Sequence, residues 1–449
     1  MSERLLVRGG RVVDPAQGLD QVADLLVEGG RVVEVIPRTG SPEAEAFART
    51  AGRVIEAAGL VVAPGLIDLH AHLREPGFED REDIESGTRA AAQGGFTAVA
   101  STPDTKPVAD NRAIVEYILN RARAVGTARV YPVGAVTRGL EGLELSEMGE
   151  LREAGAVAVS DGGRWLANAE LMRNAMLYAR MFDLPVITRA EDPALAADGT
   201  MNLGRVSTVI GLRGIPPAAE EVATARDLIL AGATGARLHV AHVSTRGAVE
   251  LIRQAKSRGV YVTAGVTPHH FSLTEDAVRE MNYDSNTKVS PPLRTAADVQ
   301  ALIEGLRDGT IDCIATDHSP RSSEEKEVEY NYAATGIIGL ESALGLAVRR
   351  LVEPGHLTLL DLISKLSTNP ARVLGVPGGG LQPGQAADII VFDQNEYAVE
   401  LNKYESKARN SPFGGWRLRG RPAYTILQGR VVGGEAARDE RIRRTAPRG

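Results

Sequence analysis

The sequence predicts an α/β protein, a (β/α)8 TIM-type barrel with a small β-sandwich domain built from both chain ends. Three observations predict it. Between about residues 60 and 380, apolar strand-like segments alternate with amphipathic helical ones. The tetrapeptide G-R-V-V or a near relative occurs at Gly10, Gly30 and Gly52 and returns at Gly429. Polar residues in the otherwise apolar strands fall at carboxyl ends, where such a barrel carries its chemistry.

Taken in order, residues 4–62 read as short β-branched strands at 5–7, 11–13, 25–27 and 31–36. The Gly9-Gly10 and Gly29-Gly30 pairs between them supply positive φ for tight hairpins. Strand-like runs return at 387–393 (A-D-I-I-V-F-D) and 424–427. Short strands at each end need partners to bury their faces, so residues 1–60 and 381–449 are expected to build one composite β domain. Residues 61–380 are left for the barrel. Its eight strands are expected at 66–72, 96–102, 129–136, 156–161, 185–191, 237–244, 261–267 and 311–318. Helical periodicity between them puts Ile114, Ile118 and Ala122 on one face, and likewise Leu171, Ala175 and Ala179. The same spacing groups Val222, Ala225 and Ile229, then Val249, Ile252 and Ala255, then Val299, Leu302 and Leu306. A doubly wound open sheet is the alternative, but no G-x-G-x-x-G follows the first strand.

Composition narrows the function. The 449 residues are 43% apolar and 24% charged, with a formal charge of −7. No basic run occurs before the last dozen residues, so a small-molecule substrate is expected rather than nucleic acid or a membrane. The arginines at 441–444 read as a solvated tail. A single cysteine, Cys313, excludes an intramolecular disulfide framework and a cysteine metal cluster. The amino terminus lacks the pattern of a signal peptide, and cytoplasm is the expected location.

The richest stretch is P-G-L-I-D-L-H-A-H-L-R-E-P-G-F-E-D, residues 64–80. Side chains two apart on a strand share a face, so His70 and His72 can grip one metal ion together. Arg74, two residues on, suits an anionic substrate. Asp161, Arg189, His242 and Asp317 end other strands of the same barrel. Three histidines and two carboxylates converging on one mouth point to a borderline metal, zinc first and manganese or iron behind it. His269 and His270 are expected as hydrogen-bonding supports, Trp165 and Trp416 as packing residues, and Cys313 as an inert side chain deep in the barrel.

Longer motifs carry a resemblance. H-A-H-L-R-E-P-G-F-E-D, E-D-I-E-S-G-T-R-A-A-A-Q-G-G-F-T, H-V-A-H-V-S-T at 239–245, V-T-P-H-H at 266–270, P-P-L-R at 291–294 and A-T-D-H-S-P at 315–320 resemble dihydroorotases of the bacterial class I type, in the amidohydrolase superfamily. The resemblance extends to S-K-A-R-N-S-P-F-G-G-W at 406–416. It implies a metal-dependent barrel that reversibly hydrolyses or closes a cyclic amide, interconverting dihydroorotate and N-carbamoyl-L-aspartate. It further implies zinc, with His70, His72 and Asp317 on a first ion, and Asp161 bridging to a second ion that also binds His242. Many relatives use a carboxylated lysine as the bridge; the class I pattern has aspartate. Asp317 would shuttle the proton and Arg74 would pair with the substrate carboxylate.

The chain departs from that pattern in ways that bear on function. Arg189 stands where the family has a histidine ligand of the second metal, and a guanidinium cannot bind an ion. Asp104 replaces an asparagine and Arg321 a histidine, both substrate contacts in the family. Ser290 replaces an asparagine, and Thr335 replaces an aromatic before Gly336. Three readings stay open: a dihydroorotase with one zinc per chain instead of two, an impaired subunit that scaffolds aspartate transcarbamoylase, and an amidase of another cyclic amide such as a hydantoin or allantoin. A homo-oligomer is expected. Arg189 is expected to pair with Asp161 or Asp104.

Overall fold

Eight short parallel strands form the expected barrel in a computed structural model that describes residues 3–37 and 39–438. The basic tail at 441–444 lies outside the described residues. The strands are Leu66–Ala71, Phe96–Ser101, Arg129–Gly134, Ala158–Ser160, Val186–Thr188, Leu238–Val240, Val262–Val266 and Cys313–Ile314. Each pairs in parallel with the next in sequence. The ring closes where the His72 N–H donates to the His318 carbonyl at 2.8 Å, beside a bridge from Ala71 to His318. Every residue of the first two strands is buried, as expected for strands covered on both faces. Cys313 packs in the interior with Ile67, Leu69, Ala98, Ala100 and Val133, below the mouth, and burial pushes its thiol well above the usual range.

The small domain is one continuous eight-stranded sheet folded over one core. It runs Arg430–Gly433, Arg421–Leu427, Ile389–Asp393, Val61–Pro64, Arg4–Asp14, Leu19–Glu28, Arg31–Ile36, with Arg53–Glu56 also beside Arg4–Asp14. Leu5, Val12, Leu25, Val62, Ile389 and Ile426 share that core. The fold-over is visible where the Val32 N–H donates to the Gln385 carbonyl at 2.9 Å, bringing the Arg31–Ile36 edge back to the chain that enters Ile389–Asp393. Val61–Pro64, expected at the start of the barrel, belongs to this sheet. Gly29-Gly30 makes the expected hairpin, with φ of 59° and 75°. Gly9-Gly10 does not. There Arg4–Asp14 runs on as one strand, and the register shift between Val7 and Gly10 makes the pair a bulge.

One helix turns a different face inward from the one its apolar spacing predicts. In Ala218–Thr234, Val222 is 50% and Ile229 71% exposed, while Ala219, Glu220, Ala223, Asp227 and Leu228 are buried. Two carboxylates decide the rotation. Glu220 accepts from the Ser244 and Thr245 amides, and Asp227 from the Thr188 hydroxyl and the Trp165 indole. The arrangement satisfies buried donors that an apolar face would leave unpaired. In Arg246–Ser257 and Ala296–Asp308 the expected residues are the buried ones.

Candidate metal centre and substrate cavity

His70 is the penultimate residue of the first strand and His72 directly follows it, and both rings turn into the mouth, their centroids 5.2 Å apart. His242 joins from beyond Leu238–Val240, its ring 4.4 Å from that of His70. Asp317, just past the last strand, lies among them. Its Oδ1 is 3.6 Å from His70 Nε2 and 3.7 Å from His72 Nε2, and its Oδ2 is 3.9 Å from His242 Nδ1. One donor atom each from His70, His242 and Asp317 falls within 4.8 Å of the others. His242 and Asp317 both hold left-handed backbone, with φ of 56° and 49°, and Arg74 does so at 63°. Such positions persist only where the surroundings over-determine them.

The electrostatics suit a cation. Burial, with neighbouring His242, holds His70 well below its ordinary range, and burial also lowers His242, so both offer neutral lone pairs. Burial opposes charge on Asp317, yet His242, His72 and His70 hold its carboxyl well below the usual range. Neither ring nitrogen of His242 has a hydrogen-bond partner, and its side chain is fully buried. Two imidazoles and a carboxylate fit a zinc-like ion, and an ion accounts for a buried imidazole with no partner.

The other predicted residues are placed as follows. A cavity of about 460 Å³ opens above the cluster, lined by every predicted site residue except His70 and His242, which lie beneath it. Asp104 is not free to face a substrate. Its Oδ1 is 2.9 Å from His72 Nδ1, and its Oδ2 accepts from Arg74 at 3.2 Å. Burial opposes its charge, but His72 and Arg74 prevail and keep the carboxylate far below its usual range. The same contacts leave His72 Nε2 aimed towards Asp317. Asp161 accepts the Thr137 amide at 2.9 Å and hydroxyl at 2.7 Å and stands outside the His70–His242–Asp317 group.

Arg189 departs from expectation. It pairs with neither Asp161 nor Asp104; it donates to Ser290 Oγ at 2.9 Å and lies 3.8 Å from Glu191 Oε1. Strand order explains this. Asp104 and Asp161 are taken by the adjoining strand ends at His72 and Thr137, whereas Arg189 reaches across the mouth to the loop after Val262–Val266. Arg321 Nε donates to the Thr335 carbonyl at 3.0 Å, so Thr335 contributes its backbone there. Gly336 has φ 111°, and a Cβ on it would come within 2.5 Å of Ser319 Oγ.

Several supports were not singled out from the sequence. Asp68, two residues before His70, accepts the Thr316 amide and hydroxyl at 2.8 and 2.6 Å and so anchors the approach to Asp317. Its parity with His70 and His72 was the available signal. Ser319 receives Arg74 at 3.0 Å, and Asn410 donates to the Ser319 and Gly336 carbonyls, both at 3.0 Å. Of the seventh-strand pair, His270 bonds Thr267 and the Pro291 carbonyl as a support, while His269 Nε2 is unpartnered. Trp165 donates to Asp227 and lies under Arg226, and Trp416 packs edge-on against Phe413.

Lys326 ties down the cavity rim. Its Nζ donates to the carbonyls of Ser285, Ala334 and Gly336 at 2.7, 2.8 and 3.2 Å. Burial pulls its pKa down to about 7, but three carbonyl acceptors call for the ammonium form. Lys326→Met should lower stability in urea unfolding by about 3 kcal/mol, because three buried carbonyls lose a charged donor. An unchanged unfolding midpoint would refute that role.

Comparison with known proteins places this geometry. Residues 59–248 match a family model described as Dihydro-orotase-like, and residues 262–433 match one described as Amidohydrolase family. The dihydroorotase of Geobacter metallireducens is 54% identical over 95% of this chain and 99% of its own. That of Acetivibrio thermocellus is 50% identical over 95% of this chain and 98% of its own. Among solved structures, the L-hydantoinase of Arthrobacter aurescens superposes with a TM-score of 0.85 at 26% identity, covering 97% of both chains. The dihydropyrimidinase of Brevibacillus agri, at 24% identity and a TM-score of 0.82, shares the fold.

Proposed function

The chain belongs to the dihydroorotases of the amidohydrolase superfamily, and from that premise we infer that it interconverts dihydroorotate and N-carbamoyl-L-aspartate in pyrimidine biosynthesis. The observation that carries this reading is the His70–His242–Asp317 donor group at the floor of a cavity that Arg74 and Arg321 line. A metal-dependent cyclic amidohydrolase needs both a donor set and room for a small ring. Zinc is the ion we assign, held by His70, His72, His242 and Asp317. When bound, such an ion acidifies water and polarises an amide carbonyl.

The chain's own residues supply the rest. In hydrolysis Asp317 takes the proton of the attacking water and hands it to the ring nitrogen as the carbon–nitrogen bond breaks. In ring closure the ureido nitrogen gives that proton back to Asp317 as it bonds the carbon of the protonated carboxyl group, and Asp317 passes it to the departing hydroxyl, which leaves as water as its carbon–oxygen bond breaks. Asp104 holds His72 through Nδ1, which leaves the other nitrogen to bind. Arg74 is buried, its pKa lowered by that burial to about 10, and still a cation at neutral pH. It would meet the substrate carboxylate, a group that hydantoin itself lacks. Arg74→Ala should therefore raise KM for dihydroorotate roughly 10- to 100-fold, since a lost charged contact costs about 1.5–3 kcal/mol. An unchanged KM would exclude the role.

Arg189 supports one ion per chain. It presents a permanent cation on the side of the cavity where the family pattern places a second ion, and Asp161 is engaged with Thr137. The same substitution favours a second reading, an impaired subunit that scaffolds aspartate transcarbamoylase. Metal content of the purified protein, with dihydroorotate formation and hydrolysis assayed with and without that transcarbamoylase, separates the two. One zinc per chain with turnover by the protein alone supports the enzyme. Turnover absent under both conditions supports the scaffold.

A further inference from the structure

His242 is a buried side chain with no hydrogen bond of its own to orient it. A metal-binding imidazole ordinarily fixes its ring by donating its second nitrogen to a carboxylate or carbonyl, and His242 has no such partner at either nitrogen. With no hydrogen bond at the ring, its direction depends on edge-on packing against His70 and on the backbone, which is left-handed here. The flanking ladder bonds, Ala241 N–H to the Thr188 carbonyl and Val243 N–H to the Gly265 carbonyl, both 2.9 Å, hold the strand to its neighbours. What holds the chain immediately after His242 is Glu220, on an outer helix.

We propose that Glu220 is the positioning residue for His242 and thereby sets the affinity of the metal centre. Its Oε1 accepts the Ser244 amide at 2.8 Å, the Thr245 amide at 3.1 Å and the Thr245 hydroxyl at 3.3 Å. Its Oε2 accepts the Ser244 hydroxyl and lies 3.6 Å from Arg294. Arg294, 1% exposed, donates to Ser244 Oγ at 3.1 Å and to Asn202 at 2.8 Å. Proton directions run one way, from Arg294 through the Ser244 hydroxyl to Glu220, so the carboxylate acts purely as acceptor. This arrangement also accounts for the rotation of Ala218–Thr234, whose apolar stripe is turned outward to bring Glu220 under the strand end.

The inference rests on His242 as a metal ligand, and the experiment separates the two. Zinc affinity of the full-length protein is measured by competition with a chromophoric chelator, far below the unfolding transition. Glu220→Gln keeps the shape but puts an amide donor among donors, and should weaken zinc at least tenfold, the scale expected for supports of ligating histidines. Leu228→Ala, in a buried side chain of the same helix about two turns beyond Glu220, should lower Tm but leave zinc affinity within twofold. An unchanged affinity in Glu220→Gln, or an equal loss in Leu228→Ala, overturns the proposal. Should Glu220→Gln fail to fold, Ser244→Ala removes only the hydroxyl link and should weaken zinc several-fold, and no change there overturns it equally. His242→Ala run in parallel shows which reading fails: if that variant binds zinc normally, His242 is not a ligand.

Discussion

Arg189→His should bind a second divalent ion. In the unmodified chain a second ion beside Asp161, taking His242 over from the first as the family pattern has it, would face a guanidinium in a poorly solvated mouth. Like unit charges about 4 Å apart repel by about 4 kcal/mol at an effective dielectric of 20, which lowers occupancy about a thousandfold. Burial does most to lower the His242 pKa, and the charge of Arg189 lowers it further, so the two groups already sense one another. Histidine removes that charge and adds a nitrogen donor, while Ser290 and Glu191 lose an arginine partner that lines the cavity. Metal analysis should rise from one zinc per chain towards two. Two ions in the unmodified protein would refute the argument. If the variant gains metal and cyclic-amide hydrolysis together, Arg189 limits an active enzyme; if it gains metal alone, the scaffold reading prevails.

His70→Ala combined with His72→Ala should abolish metal retention. Together they remove two of the three imidazoles facing Asp317, leaving one imidazole and one carboxylate, too few for a four-coordinate site. Asp104 would keep Arg74 as partner, so the fold around the mouth should survive. The protein should then elute without zinc after dialysis, with dihydroorotate turnover lost and its far-ultraviolet dichroism kept. Stoichiometric zinc in the double variant would place the site elsewhere.

Much of the site could be read from residue order because barrel geometry converts order into position. A polar residue at the carboxyl end of an apolar strand has only the mouth to face, so His70, His72, Asp161, His242 and Asp317 could be located before their distances were known. The eight strands were legible for a related reason: strands buried on both faces read as unbroken apolar runs. The amphipathic stripe of Ala218–Thr234 misled, because apolar spacing registers side chains that avoid water and is blind to a carboxylate buried by its hydrogen bonds.

By itself, then, the sequence determined the barrel, the shared sheet of the two ends and the residues that meet at the mouth, since periodicity and strand order are local properties of the chain. Only tertiary structure decided who pairs with whom. Asp104 could oppose a substrate or orient His72, and Asp161 could bridge ions or hold Thr137. Arg189 could answer either carboxylate or reach Ser290. Each choice turns on contacts of a few ångströms between residues dozens to about a hundred positions apart, and the energy of a buried charge depends on what lies within that distance.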